Sequence, residues 1–159
     1  MKTLVTIFTF ICIGLSAGAQ TIEADKQHID EPIEVVKEFL TAYMIGDHQT
    51  FTELIHPDVI WIQPGDNRIS GIKRSKSELL QMGAKMSEIS ARTLRLTDVK
   101  YFAAHGNTVV CILHWNAAQP SGVVLDIDNV DMYTVENGKI IMAKIFSEEI
   151  AEENAFWGK

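Results

Sequence analysis

Cysteine is almost absent: the 159 residues hold two, Cys12 and Cys111. Cys12 lies in an apolar leader, so a chain that loses the leader keeps Cys111 alone, which excludes an intramolecular disulfide even in an oxidising compartment. Cys111 sits in Val109-Val110-Cys111-Ile112-Leu113 with no electropositive neighbour, so it reads as a small buried apolar side chain rather than a nucleophile. Positive charge is scarce too. With 14 Lys+Arg against 21 Asp+Glu the formal charge is -7, and no basic stripe offsets it. A phosphate backbone is repelled by such a surface, so nucleic acid is excluded as a partner. There is no Gly-x-Ser-x-Gly, no phosphate loop and no dinucleotide fingerprint. His56-Pro57-Asp58 offers two metal-capable side chains but no third at ligand spacing, so neither metal nor cofactor is expected.

Long apolar runs are also missing. The longest covers residues 4–15, interrupted by Thr6 and Thr9, and falls short of the roughly 20 residues that span a bilayer. Lys2 precedes it and Ser16-Ala17-Gly18-Ala19 follows, the order of a secretory signal peptide cleaved after Ala19. The expectation is an exported protein, periplasmic or extracellular, without stable membrane insertion. Cleavage removes Lys2 and no acid, taking the formal charge from -7 to -8. Residues 20–29 are polar and aperiodic, a flexible lead-in. Residues 30–159 have the length of one domain, and no linker, repeat or low-complexity tract divides them.

Within that domain Asp30-Glu31-Pro32 places a capping carboxylate and a first-turn proline before Ile33, Val36, Leu40 and Tyr43, a helix closed by Gly46. Asp47 caps a short second helix carrying Phe51, Leu54 and Ile55 and stopped by Pro57. Val59, Trp61 and Gln63 alternate with Ile60 and Ile62 as a strand, and Pro64-Gly65-Asp66-Asn67 is a turn. Ser75-x-x-Glu78 is a capping box ahead of Leu79, Met82, Met86 and Ile89. Strands are expected over 93–103, 108–117, 123–135 and 139–146, joined by three turn signals as an antiparallel meander. Ser147-Glu148-Glu149 opens a last helix ending near Phe156-Trp157. Helices first and strands afterwards make an α+β domain.

These landmarks in this order, Gly46-Asp47, then His56-Pro57-Asp58-Val59-Ile60-Trp61 into Pro64-Gly65, then Asp131-Met132-Tyr133 ahead of Glu136-Asn137-Gly138-Lys139-Ile140, resemble the nuclear transport factor 2-like superfamily, in its SnoaL-like and ketosteroid-isomerase-like branch. The resemblance implies a conical, barrel-like fold, a curved antiparallel sheet wrapped around N-terminal helices to form a pocket. Ketosteroid isomerase uses an aspartate base and an oxyanion hole of tyrosine and protonated aspartate. Anchored on Gly46-Asp47 and Pro64, the tyrosine falls on Phe39, the base on Gln63, and the oxyanion-hole acid on or near Val130, beside Asp131. All three positions lack the needed group, so classical steroid isomerisation is not expected, with Asp131 left as a substitute for the acid. What the resemblance leaves is cofactor-free acid/base chemistry of isomerase, dehydratase, cyclase or hydrolase type on a small hydrophobic molecule, or a binding module without turnover.

Asp131 is the leading catalytic candidate. By period two it shares a face with Leu125, Ile127, Asn129 and Tyr133, where an ill-solvated carboxylate would have a raised pKa; the alternative is an ordinary surface aspartate. His114, on the neighbouring strand, is the second candidate, as an orienting or proton-sharing partner of Asp131 or else a structural histidine. Lys144 shares parity with Ile140, Met142 and Phe146 and falls where SnoaL-like proteins often have a pocket-facing tryptophan; otherwise it snorkels to water. Phe39, Tyr43, Trp61 and Gln63 are expected to line the remainder of the cone, unless the cone is a filled core. Both faces of the last strand are apolar, so a homodimer through the convex face is expected, the alternative being a monomer whose last helix folds over that face. The separation of Asp131 from His114 decides whether they can act together.

Overall fold

A computed structural model describes residues 31–159, so the leader at 1–19, the lead-in at 20–29 and the cap expected at Asp30 lie outside the described residues. Helix α1, Pro32–Ile45, starts on the proline without a side-chain cap from Glu31, and buries Val35, Val36, Phe39, Leu40 and Ala42. Each such aliphatic side chain withdrawn from water stabilises by roughly 1.5–3 kcal/mol. Gly46 ends the helix in the left-handed region at φ 77°, a conformation that glycine adopts without a Cβ penalty. Helix α2, His48–Glu53, is capped by Asp47, whose carboxylate accepts from the Thr50 N–H at 3.1 Å and from the Thr50 hydroxyl at 2.8 Å.

Leu54 and Ile55 depart from expectation. The helix stops at Glu53, and strand β1, Ile55–Gln63, runs through Pro57. Ile55 pairs with Ile140 across the sheet and is fully buried. Proline is tolerated there because the ladder is irregular between Ile55 and Ile60. Strand β2, Gly71–Lys73, is three residues long and carries no periodicity that a sequence could reveal. Helix α3, Lys76–Ile89, has the expected cap: the Ser75 hydroxyl accepts from the Glu78 N–H at 3.2 Å, and Glu78 reaches back to the Arg74 N–H at 2.7 Å.

Strands β3 (Arg95–His105), β4 (Thr108–Ala118), β5 (Val124–Glu136) and β6 (Lys139–Ser147) form the antiparallel meander, and α4, Ile150–Trp157, closes the chain. The six strands run in the order β2-β1-β6-β5-β4-β3. One pair departs from antiparallel: β1 lies parallel to β6. Register breaks at Leu96/Asp98, Tyr101/Ala103 and Thr134/Val135 bend the sheet. Helix α1 crosses β3 to β6, α3 packs on β1 and β2, and α4 packs on β5. All the buried core thus lies on one face, and the opposite face carries no helix among the described residues.

Candidate functional site

Alternation along β5 decides what the inner face contains. Leu125, Ile127, Asn129, Asp131, Tyr133 and Val135 are buried, while Asp126, Val130 and Glu136 are exposed. The lost oxyanion-hole position at Val130 points outward, and Asp131 takes the inward place. Strand β1 contributes Val59, Trp61 and Gln63 by the same alternation, and α1 contributes Phe39 and, one turn later, Tyr43.

The helices do not fill the cone. A cavity of about 720 Å³ remains, and Phe39, Tyr43, Trp61, Gln63, Asp131 and Tyr133 all line it. That volume is in the range of small-molecule sites. The walls are aromatic: Phe39 stacks on Phe51 with ring centroids 4.7 Å apart, and Tyr43 meets Trp115 edge-on at 5.2 Å. Trp61 and Phe39 approach the Tyr133 ring at 6.0 and 5.8 Å.

At the polar end the Tyr133 hydroxyl donates to Asp131 Oδ2 at 2.7 Å, and the Trp61 indole donates to Gln63 Oε1 at 3.2 Å. Asp131 Oδ1 has no hydrogen-bond partner among the described residues. Burial therefore lifts the Asp131 carboxyl from 3.8 to about 7; the Tyr133 hydrogen bond pulls it down, and the nearby Glu153 carboxylate pushes it up. Burial, with the Asp131 charge beside it, raises the Tyr133 phenol well above its ordinary value. Such a carboxyl is a donor in slightly acidic solution and a base in slightly alkaline solution.

Glu153 is the site residue that sequence reasoning missed. It reaches into the cavity from α4, is 2 % exposed, and both its carboxylate oxygens lack hydrogen-bond partners among the described residues. Burial raises its pKa; Ser147 and Asn129 sit close enough to oppose that shift while remaining outside hydrogen-bond geometry. The sequence signal was present: Glu153 lies three and four residues before Phe156 and Trp157, on the buried face of the helix. Loop residues hold α4 in place. Asn154 Oδ1 accepts from the Asp66 N–H at 2.8 Å and from the Asn67 amide at 2.9 Å, while the Arg68 guanidinium donates to the Trp157 carbonyl at 2.8 Å.

Two expected site residues are elsewhere. His114 lies on the outer face, where Nδ1 meets Asp128 at 2.6 Å and Nε2 meets Asp126 at 2.8 Å. The reason is register: Cys111 faces Asp131 across the ladder, so His114, three residues on, has the opposite parity. An Asp131–His114 pair is therefore not formed. Its own partners, the Asp128 hydrogen bond foremost, raise the imidazole pKa. Lys144 is also outside, paired across the ladder with Met132 and with its ammonium 4.8 Å from the Phe146 ring centroid. The break between Thr134 and Val135 turns Ile140 inward and leaves Met142, Lys144 and Phe146 outside, so counting by twos from Ile140 fails.

Fold and pocket together define a cone-shaped nuclear transport factor 2-like domain. The chain belongs to the SnoaL-like domain family, which its residues 36–142 match. It is similar to a Xanthomonas campestris protein of unknown function with a cystatin-like fold: TM-score 0.76 and 36% identity, over 81% of this chain and 99% of that one. Bal32a, from a soil-derived mobile gene cassette, has the same fold at TM-score 0.76 and 20% identity, over 82% of this chain and 99% of its own. An uncharacterized Mycobacterium tuberculosis protein is 23% identical over 128 residues, 80% of this chain and 97% of that protein.

Proposed function

We propose that this chain is an exported small-molecule-binding protein whose inner cavity holds a largely apolar ligand, with the ligand's polar group against Asp131. One observation carries the reading: a cavity of about 720 Å³ with aromatic walls stays open around a buried carboxyl that lacks a full set of partners. A filled core would have packed that space with side chains. The test is titration with the neutral apolar dye Nile red, followed by its fluorescence. Binding with one site per chain is expected, weakened at least tenfold in Trp61→Ala. If Nile red does not bind, or binds Trp61→Ala equally well, the reading is wrong.

A second reading is cofactor-free acid/base catalysis by Asp131 with Tyr133. It is favoured by the 2.7 Å hydrogen bond between them and by a carboxyl poised at about 7. His114 has no part in it. The chemistry would be proton transfer at a carbon next to a carbonyl, so bound cyclic ketones such as 2-tetralone should exchange their α-protons into D₂O. Exchange should be lost in Asp131→Asn and kept in His114→Ala; equal rates with and without protein would remove catalysis.

Export rests on the leader, and recovery of a mature protein beginning at Gln20 would establish it. Homodimerisation rests on the outer face, where Ile60, Ile72, Val130 and Phe146 are 38%, 50%, 39% and 45% exposed. Light scattering at micromolar concentration should give twice the chain mass, falling to one in Phe146→Asp.

A further inference from the structure

At the polar end of the cavity unpartnered acceptors outnumber donors: the Tyr133 hydroxyl is already given to Asp131, and the Ser147 hydroxyl beside Glu153 is buried without a partner of its own. Asn129 Oδ1, Asp131 Oδ1 and Glu153 Oε1 and Oε2 are all buried without a hydrogen-bond partner among the described residues. These side chains are 7%, 3% and 2% exposed, come from β5 and α4, and line one cavity. A buried acceptor with no partner destabilises the fold, and more so when charged. Four in one place are a standing demand for donors that a ligand can meet.

The charge balance says which donors. Two carboxylates share this end, and no ion pair formed by a described residue includes either. The cationic side chains lining the cavity, Arg92 and Arg95, lie just before and at the start of β3, where the Arg95 guanidinium donates to the Arg92 and Leu94 carbonyls at 2.9 and 2.8 Å. A ligand carboxylate or carbonyl would meet like partial charge at the acid pair. An ammonium brings three donors, no acceptor and the missing positive charge. The walls suit it as well, since Trp61, Tyr43 and Phe39 offer apolar surface and ring faces to a cation.

We propose that the cavity takes an amine: an apolar, ring-containing body with a protonated nitrogen that docks among Asp131 Oδ1, the Glu153 carboxylate and Asn129 Oδ1. This rests on the small-molecule reading above and narrows it to organic cations. Binding then requires the acids to be ionised, so affinity rises with pH through the neutral range. Other titratable groups lining the cavity or next to the pair are Tyr133 on β5, Cys111 on β4, Tyr43 on α1, His48 on α2, Arg92 just before β3 and Arg95 on β3. The Tyr133 and Cys111 protons are held more firmly than usual, and Tyr43 is pushed up to about 12, so these three keep their protons across that range.

The test is competition against Nile red on the full chain by three indoles of one size: tryptamine (ammonium), tryptophol (neutral hydroxyl) and indole-3-acetate (carboxylate). At pH 8 tryptamine should displace the dye at a concentration at least tenfold below tryptophol, with indole-3-acetate weakest. The tryptamine-to-tryptophol preference should shrink at least threefold at pH 5.5, and likewise in Glu153→Gln at pH 8. His114→Ala, on the outer face, should leave it unchanged. Dye binding with tryptamine no better than tryptophol, or with the preference intact in both Glu153→Gln and Asp131→Asn, overturns the amine proposal and leaves the pocket standing. Absence of dye binding together with absence of any indole isotherm by calorimetry overturns both.

Discussion

Strand β5 displays aspartates on both its faces, and the two sets meet different fates. On the outer face Asp126 and Asp128 grip opposite nitrogens of His114 at 2.8 and 2.6 Å, with water at hand. On the inner face Asp131 is 3% exposed, and one of its oxygens has only the Tyr133 hydroxyl. The outer acids are partnered by a local imidazole, whose pKa they raise. The inner acid is held near neutrality by burial, and the Glu153 charge adds to the shift. Residue type alone does not separate an exposed, paired carboxylate from a buried, half-partnered one; the face of the strand does.

The largest effect is expected from neutralising the inner acid. Asp131 has a folded pKa above its unfolded one, so its stabilising contribution is complete below about pH 4 and is lost as pH rises through about 7. The neutral amide that replaces the carboxyl in Asp131→Asn can still accept the Tyr133 proton. Urea unfolding should therefore find this variant more stable than the parent at pH 8, by up to about 4 kcal/mol, with the gain shrinking towards zero near pH 4. A gain of the same size at both pH values would mean the carboxyl is not the cause.

Next in size is the clasp that holds α4 against the inner face. Gly65 has φ +92°, and a Cβ there would stand 2.5 Å from Asn154 Oδ1, an atom already held by two donors. Gly65→Ala should cost about 1–3 kcal/mol and loosen α4, raising amide exchange in 150–157 ahead of the sheet. Uniform exchange changes would contradict a local clasp.

The smallest effect belongs to the outer face. The His114 cluster is more than a third exposed and screened by solvent, so His114→Ala should change stability by less than about 1 kcal/mol. The sign follows from the raised imidazole pKa: the contribution is complete below the unfolded value near 6.5 and disappears as pH rises through the folded one. Thermal unfolding at pH 6 and pH 9 reads the difference, which added salt should reduce. A loss of several kcal/mol would place His114 among the core determinants after all.

Much of the fold could be read from the chain because its signals were local: Asp47 and Ser75 cap the helices expected of them, and the turns at Gly106, Gly122 and Gly138 separate strands close to the expected bounds. Asp131 was legible because it shares parity with Leu125, Ile127 and Tyr133, and burial along β5 alternates without a break. Strand β4 is apolar on both sides, so parity alone could not orient His114, and only the long-range register with β5 does so. Lys144 was misread because a bulge is invisible to a period-two count. Glu153 was hidden among Glu148, Glu149 and Glu152, in a run whose charge suggests solvent, although its spacing to Phe156 and Trp157 placed it inside.

The state of the inner face is read from the titration of Asp131 itself, followed by carbon-detected NMR of its carboxyl group. A midpoint near 7 is expected, moving higher in Tyr133→Phe because the phenol's hydrogen bond lowers it. A midpoint near 4 in the intact protein would mean that the carboxyl is solvated, and the inner face would then differ from the outer one in nothing that matters to function.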